Sequence, residues 1–146
     1  MTTSNVDTPL SRIGVVAERI GISERTLRYY EEFGLVTPSA YSRGGARLYD
    51  EDVINRVSHI RNLQSLMGFN LEEIKDILSV EDHLDQIRIE YRSGSKPKKE
   101  LLSAAINILN DLQAKVRDKQ VGLQNFQNEL EARLTRIHNA LDETDS

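Results

Sequence analysis

The chain has 146 residues, of which 38% are hydrophobic and 29% charged, a balance typical of one domain or of a small domain with an appendage. It contains no cysteine, which excludes disulfides, thiolate metal sites, cysteine nucleophiles and thiol redox sensing. The formal net charge of -4 does not exclude a nucleic-acid binder, because such binding depends on one face of a protein and not on its whole charge.

Two short helices are predicted near the N terminus, after a polar segment over 1–9 that we expect to be disordered. The first helix covers 13–20, carries apolar residues on one face and ends at Gly21. Ser23 is a suitable N-cap for a second helix over 24–33. Two short helices joined by a tight turn that contains glycine are typical of a helix-turn-helix.

A β-hairpin is predicted directly after the second helix. Residues 35–37 resemble a short strand, and the segment 39–45 resembles a hairpin tip in which Gly44 and Gly45 supply positive φ angles. Residues 47–49 return as a second strand. A hairpin at this place indicates the wing of a winged helix-turn-helix.

Two more helices are predicted in the middle of the chain. Apolar residues at helical spacing over 53–67 predict a stripe that we expect to be buried along its whole length. Asn70 followed by Glu73 predicts a capping box at the start of the fourth helix. The pattern over 79–92 leaves a short helix and a loop open, and the Ser-Gly-Ser-Lys-Pro run over 93–97 indicates a flexible break.

The last segment, over 98–141, has the seven-residue repeat of a coiled coil. We expect its dimerisation face to consist of Leu102, Leu109, Leu112, Val116, Leu123, Phe126, Leu130 and Ile137. Lys119 and Arg133 also occupy this face and would weaken a parallel, symmetric pairing. A helix of this length needs a partner, and the simplest partner is a second copy of the chain.

The N-terminal region is rich in arginine. Residues 10–49 contain six arginines and four glutamates, which gives this stretch a net charge of +2 in an acidic chain. Arginine binds phosphate and guanine through two parallel hydrogen bonds, so this choice of cation favours recognition of nucleic acid. Arg56 and Arg61 on the third helix leave phosphate contacts and solvated charges equally open.

Five segments of this sequence resemble the MerR family of bacterial transcription regulators. They are Ile-Gly-Val-Val-Ala over 13–17, Gly-Ile-Ser over 21–23, Arg-Thr-Leu-Arg-Tyr-Tyr-Glu-Glu-Phe-Gly-Leu over 25–35, the wing over 43–49, and Leu-Met-Gly-Phe-Asn-Leu-Glu-Glu-Ile over 66–74. The resemblance implies a winged helix-turn-helix homodimer that is held together by an antiparallel coiled coil and binds a pseudo-palindrome in a promoter. It also implies that an effector makes the bound dimer distort the DNA so that RNA polymerase can use the promoter, although some members only repress.

The predicted DNA contacts lie on the polar face of the second helix and on the wing. They are Ser23, Arg25, Thr26, Arg28, Tyr29, Tyr41, Arg43 and Arg47. The resemblance implies that Arg43 or Arg47 reaches the neighbouring minor groove or its phosphates. Arg43 is favoured because it is nearer the tip, and for Arg47 pairing with Asp50 or Asp52 stays open. The family often has Gly-Tyr before the returning arginine, whereas this chain has Gly45-Ala46, so that particular wing contact is not expected.

Together these features predict a mainly α protein with a winged helix-turn-helix followed by a long dimerisation helix. We expect a disordered tail over 1–9, a DNA-binding domain over 10–78, a linker or short helix with a candidate effector region over 79–97, the dimerisation helix over 98–141 and a tail over 142–146.

No pattern in the sequence predicts an enzyme, a cofactor or a metal site. His59, His83 and His138 lie far apart, and a solvated helix cap is the favoured interpretation of the acidic residues around His83. The absence of a long apolar run or a signal peptide predicts a cytoplasmic protein. The expected partners are double-stranded promoter DNA, a second copy of the chain and RNA polymerase, with an unidentified effector.

Two other functions fit the same pattern. A coiled-coil adaptor would use its winged module to bind protein, and an architectural protein would bind many DNA sites without an inducer. Salt dependence separates the first from a regulator, because binding through several arginines weakens steeply with salt. Preference for one inverted repeat over random DNA separates the second.

Overall fold

The structure is a computed structural model that describes residues 9–145. The predicted tail over 1–9 lies outside the described residues except for its last position, and so does residue 146. In chain order the elements are β1 (Ser11–Arg12), α1 (Ile13–Ile20), α2 (Glu24–Glu32), β2 (Ala40–Tyr41), β3 (Arg47–Tyr49), α3 (Glu51–Ser65), α4 (Leu71–Ser93) and α5 (Lys98–Asp145). The predicted fold class, mainly α with a small wing and a long C-terminal helix, is confirmed.

The turn between α1 and α2 is built from two local signals. Gly21 has a φ of 84° and its N–H donates to the carbonyl of Ala17 at 2.8 Å, which ends α1. Ser23 then accepts a hydrogen bond from the Thr26 N–H at 3.0 Å and starts α2. The sequence alone predicts both signals, and α1 and α2 form where the sequence predicts them.

The wing is a three-stranded antiparallel sheet in the order β1-β3-β2. The predicted strand over 35–37 is wrong, because Leu35 and Val36 are buried in a loop. The Leu35 N–H still donates to the carbonyl of Tyr30 at 2.9 Å, and Pro38 has no N–H to donate. Bonding to β3 therefore begins at Ser39, whose N–H donates to the carbonyl of Leu48 at 2.9 Å.

The core of the N-terminal part is formed by side chains from every helix up to α4. They are Val16, Ala17, Leu27, Tyr30, Leu35, Val36, Tyr49, Ile54, Val57, Ile60, Leu63, Phe69, Ile74, Ile77 and Leu78. The predicted burial of Leu66 and Met67 is wrong, since these side chains are 78% and 51% exposed. The helix ends at Ser65, so the chain leaves the helical period and buries Phe69 instead.

The helix α4 starts with the predicted capping box. The Asn70 N–H donates to Glu73 Oε1 at 2.9 Å, and the Glu73 N–H donates to Asn70 Oδ1 at 2.8 Å. The helix then continues through 79–92, where the sequence left a short helix and a loop open. It ends before Gly94 and Pro97, which are the first glycine and proline after Gly68.

The described chain forms two compact units, with the boundary between Ser79 and Val80. In the second unit α5 extends past the predicted limit of 141, and its 48 residues span about 72 Å at 1.5 Å per residue. Among the described residues, no helix is both long enough and apolar enough to cross a membrane.

Candidate nucleic-acid interface

The helix α2 separates its side chains into a buried and an exposed face. Leu27 and Tyr30 are buried, and the Tyr30 hydroxyl donates to Gln64 Oε1 at 2.7 Å. Arg25 and Arg28 are exposed on the other face. Burial of Leu27 and Tyr30 sets the rotation of α2 about its axis, so the two arginines project away from the core.

Arg28 stands where two shallow surface grooves meet. One groove runs along α2 past Arg25 and Tyr29 towards Gln64. The other lies between α1, α2 and the wing, where Arg12 and Arg47 also line it. A cation at this position can contact a ligand that extends from the helix to the wing.

Four exposed arginine side chains, on β1, α2 and the wing tip, have no hydrogen-bond or ion-pair partner within residues 9–145. They are those of Arg12, Arg25, Arg28 and Arg43. Unpaired guanidinium groups keep all five N–H donors available for an anionic ligand. These four side chains are called the free arginines below.

Three other arginines of the same unit serve the fold. Arg19 pairs with Glu51, the Arg56 Nε donates to the carbonyl of Leu35 at 2.7 Å, and Arg61 donates to the carbonyl of Gly21. The sequence left phosphate contact and solvation open for Arg56 and Arg61. In the structure both side chains hold backbone carbonyls of the helix-turn-helix.

The wing tip presents Arg43 on a compact turn. The Ser42 N–H donates to the carbonyl of Ala46 at 2.8 Å, and the Ala46 N–H donates to Ser42 Oγ at 3.0 Å. Gly45 has a φ of 84°, which favours glycine at this position of the turn. The turn leaves Arg43 and Tyr41 exposed next to each other on the wing.

Ser23 and Thr26, the predicted hydroxyl contacts, are already bonded to each other. Their side-chain oxygens lie 2.8 Å apart, and Ser23 Oγ also caps α2. Ser23 is exposed and Thr26 half-buried, so the pair marks the N-terminal end of α2 at the surface.

Arg47 belongs to a cluster that connects α2 to β3. Its Nε donates to Glu31 Oε2 at 2.5 Å, and the fully buried Tyr49 hydroxyl donates to Glu31 Oε1. Burial and the bond to Glu31 raise the pKa of Tyr49, and the same carboxylate raises the pKa of Arg47. We call Glu31, Arg47 and Tyr49 the wing clamp. The alternative partner of Arg47 that the sequence offered, Asp50, instead caps α3 by accepting from the Val53 N–H at 2.9 Å.

Aromatic side chains flank the exposed face of α2. Tyr29 stacks on Phe33 with ring centroids 6.1 Å apart, and the Lys75 Nζ lies 5.5 Å from the Phe33 centroid. Sequence reasoning missed Lys75, Arg12 and Glu31. A two-residue strand gives no periodic signal for Arg12, and the role of Glu31 depends on residues 16 and 18 positions further along the chain.

The described residues contain no group of three or more histidine, aspartate or glutamate side chains that could hold a metal ion.

The predicted dimerisation residues all lie on α5. Except for Leu112, which is half-buried, they form part of a long exposed apolar surface. Its large side chains are Leu102, Ile106, Leu109, Val116, Val121, Leu123, Phe126, Leu130, Leu134, Ile137 and Leu141.

Comparison with known proteins gives consistent matches. The family profile described as "MerR HTH family regulatory protein" matches residues 11–81. The HTH-type transcriptional regulator YfmP of Bacillus subtilis (strain 168) is 29% identical over 132 residues, covering 89% of this chain and 94% of that protein. The mercuric resistance operon regulatory protein of Bacillus cereus is 32% identical over 107 residues, covering 73% of each chain.

A solved structure is similar in fold. The putative MerR family transcriptional regulator from Listeria monocytogenes is 20% identical, with a TM-score of 0.55 over 85% of this chain and 83% of that one. This likeness concerns the fold alone.

Proposed function

Because the chain belongs to the MerR family of helix-turn-helix regulatory proteins, which bind DNA and regulate transcription, we propose that it acts as a homodimer on a pseudo-palindromic promoter element. Each protomer inserts α2 into the major groove and lays its wing along the adjacent backbone. The observation that carries the proposal is the set of free arginines on β1, α2 and the wing tip, in a unit whose other arginines are engaged by the fold.

The free arginines have different tasks in this proposal. Arg25 and Arg28 contact base edges or phosphates in the major groove, where guanine accepts two hydrogen bonds from one guanidinium. Arg43 reaches the neighbouring minor groove or its phosphates, and Tyr41 meets the backbone beside it. Arg12 adds a contact that sequence reasoning did not include. Arg47 contributes positive charge to the surface while its Nε remains hydrogen-bonded to Glu31.

The remaining contacts set the orientation of α2. Ser23 and Thr26 stand at its N-terminal end, where hydroxyls and free N–H groups bind phosphate. Tyr29 offers its half-exposed hydroxyl from the same face. Such contacts position a protein on the duplex without reading its sequence.

The exposed apolar surface of α5 supports a homodimer, which would give two copies of α2 for the two halves of the operator. The proposed domains remain 10–78 for DNA and the C-terminal helix for dimerisation, with 79–97 as the place for an effector. Effector-dependent distortion of the DNA, use of the promoter by RNA polymerase, and a cytoplasmic location complete the proposal.

The function is tested by footprinting the purified full-length protein on DNA just upstream of its own gene and on a pool of genomic fragments. We expect a protected inverted repeat. Arg28→Ala should lower the affinity of the dimer about 30-fold or more, because each of its two copies of Arg28 loses a base contact that contributes about 1–3 kcal/mol. Arg117→Ala, an exposed arginine on α5, is the matched control and should protect the same repeat as the natural protein. Equal protection by the Arg28→Ala protein would contradict the proposed interface.

Salt dependence gives a second test, which also separates a regulator from an adaptor. We expect the logarithm of the affinity to fall linearly with the logarithm of the salt concentration. If each copy of Arg43 neutralises a phosphate, Arg43→Ala should reduce the magnitude of that slope by about 1.8, because the dimer loses two contacts at about 0.9 each. Arg19→Ala should leave the slope unchanged, since Arg19 already pairs with Glu51. If binding by the unsubstituted protein does not depend on salt concentration, the result favours an adaptor that docks to protein.

A further inference from the structure

We propose that Glu24, the first residue of α2, accepts a hydrogen bond from the N4 amino group of one cytosine in each half of the operator. Glu24 thereby determines sequence specificity together with Arg25 and Arg28. The inference rests on the proposed DNA-binding function and adds one base to what α2 recognises. It is carried by the position of Glu24 in the groove between α1, α2 and the wing.

Glu24 lies where a recognition helix meets base edges. In helix-turn-helix proteins the N-terminal residues of the second helix contact the bases. Glu24 is the first residue of α2, and Arg28, about one helical turn further on, lies on the same side of the helix. Both side chains are exposed and line the same groove. The carboxylate and the guanidinium therefore face the same stretch of DNA in the proposed complex.

The carboxylate of Glu24 has no partner of its own. Within residues 9–145 no hydrogen bond or ion pair engages it, although Arg28 lies at the spacing at which helical ion pairs form. Glu24 Oε2 lies 3.8 Å from the position that a Cβ would take on Gly14, which places it beside the first turn of α1. Both carboxylate oxygens are therefore available as acceptors at the surface of the groove.

A carboxylate at a DNA-binding surface is repelled by phosphate, so a specific donor on the DNA must offset that cost. The surroundings of Glu24 reduce the repulsion, because three arginines line the same groove and the N-terminal end of α1 carries partial positive charge. Glu18 also lines this groove, but it lies on α1, the helix that crosses the DNA backbone in this class of protein. Of these two carboxylates, only that of Glu24 starts the helix that enters the major groove.

The chemistry of the major groove selects the base. An ionised carboxylate only accepts hydrogen bonds, and the major groove offers it two donors, the N6 amino group of adenine and the N4 amino group of cytosine. In an A·T pair the amino group lies between two acceptors, adenine N7 and thymine O4, which repel a carboxylate. In a C·G pair the amino group has an acceptor, guanine O6, on one side only. Cytosine is therefore the favoured partner.

The spacing along α2 places this cytosine near the contact that Arg28 makes. Four helical residues span about 6 Å, and neighbouring base pairs lie about 3.4 Å apart. The two contacts therefore fall within about two base pairs of each other. This predicts where the cytosine lies relative to the position that loses its preference in the Arg28→Ala protein.

The test is the selection of DNA from a randomised library by the full-length protein and by Glu24→Ala, Glu24→Gln and Glu18→Ala variants. We expect the unsubstituted protein to enrich cytosine at one position of each half-site, where any other base lowers the affinity about tenfold per half-site. Glu24→Ala should accept all four bases at this position. Glu24→Gln should move the preference to adenine, because glutamine pairs with adenine N6 and N7. Glu18→Ala removes the same charge from the same groove and should keep the cytosine.

A change in the DNA tests the contact without altering the protein. N4-methylcytosine keeps its Watson–Crick pairing but places a methyl group in the major groove, where cytosine offers its free N–H. With this base in both half-sites, we expect the affinity of the unsubstituted protein to fall about a hundredfold, because the two losses add. The affinity of the Glu24→Ala protein should stay nearly unchanged.

Failure of this inference is distinguishable from failure of the proposed function. If the unsubstituted protein enriches no inverted repeat, the proposed function fails and the assignment of Glu24 fails with it. If a repeat is enriched and the Glu24→Ala protein keeps every base preference, the assignment of Glu24 alone is overturned. An equal loss of affinity for all sequences, with a lower free energy of unfolding in urea, would also overturn it, because Glu24 would then only stabilise the N-terminal end of α2. Enrichment of adenine by the unsubstituted protein would overturn the assignment to cytosine.

Discussion

Replacing Leu130 with aspartate is expected to convert the proposed dimer into monomers and to remove specific DNA binding. Leu130 is 40% exposed in the protomer and lies in the apolar repeat of α5. Losing its burial costs about 2 kcal/mol, and the dimer contains two copies, so its dissociation constant rises about a thousandfold. A charge in the seam adds to this cost. Analytical ultracentrifugation over a concentration series measures the shift directly.

The matched control for this change is Val121→Asp. Val121 is 57% exposed on α5 but lies on the opposite side of the helix from the repeat. The same introduction of a carboxylate should therefore leave the dimer intact. If the Leu130→Asp and Val121→Asp dimers dissociate equally, the added charge or a lower helix propensity weakens the dimer. The apolar repeat is then not the interface.

The monomer is expected to bind operator DNA far more weakly than the dimer. Once one α2 of a dimer is bound, the linked second α2 is present at a high effective concentration near the other half-site. Separate monomers lack this advantage. In the Leu130→Asp protein, each half-site should bind independently and protection should lose its symmetry. Retention of the full footprint by a demonstrated monomer would contradict this account of operator recognition.

Local signals made most of the fold predictable. Gly21, Ser23 and the Asn70–Glu73 capping box act within one helical turn, so a single sequence contains all the information they need. The failures occur at the ends of elements, where a displacement of one or two residues changes burial or pairing. Pro38 delays the first strand because its backbone cannot donate a hydrogen bond to β3. Leu66 is exposed because α3 ends at the preceding residue, Ser65.

The candidate interface was predictable only in part, because the pairing of its charges depends on distant residues. The polar face of α2 follows from helical spacing, which placed Arg25 and Arg28 together. Whether an arginine is free depends on carboxylates and carbonyls elsewhere in the chain. Arg61 meets the carbonyl of Gly21, which is 40 residues away, and no sequence pattern encodes that contact.

The wing clamp gives the second large expected effect. Glu31 is 10% exposed and accepts from both Tyr49 and Arg47, so α2 and the wing share one carboxylate. Tyr49→Phe removes the hydroxyl and leaves the ring in place. Because a hydrogen bond to a charged group contributes about 1.5–3 kcal/mol, we expect the free energy of unfolding to fall by that amount in urea denaturation. Tyr41→Phe, which removes an exposed hydroxyl, should cost almost nothing.

A double-mutant cycle shows whether the lost free energy of unfolding comes from the hydrogen bond between Tyr49 and Glu31. Glu31→Gln keeps the shape of the side chain and removes its charge, so it weakens the same hydrogen bond. If Tyr49 and Glu31 act through each other, the double variant is destabilised by less than the sum of the two single changes. Additive losses would mean that each residue stabilises the fold separately.

The clamp should also affect DNA binding in a way that differs from the free arginines. Tyr49→Phe loosens the position of the wing relative to α2, so operator affinity should fall about tenfold while the protein remains folded. The salt slope should stay unchanged, because no cation that meets a phosphate has been removed. Arg43→Ala is expected to change that slope, so the pair of measurements separates a residue that positions the wing from one that touches DNA. An altered slope in the Tyr49→Phe protein would contradict the positioning role.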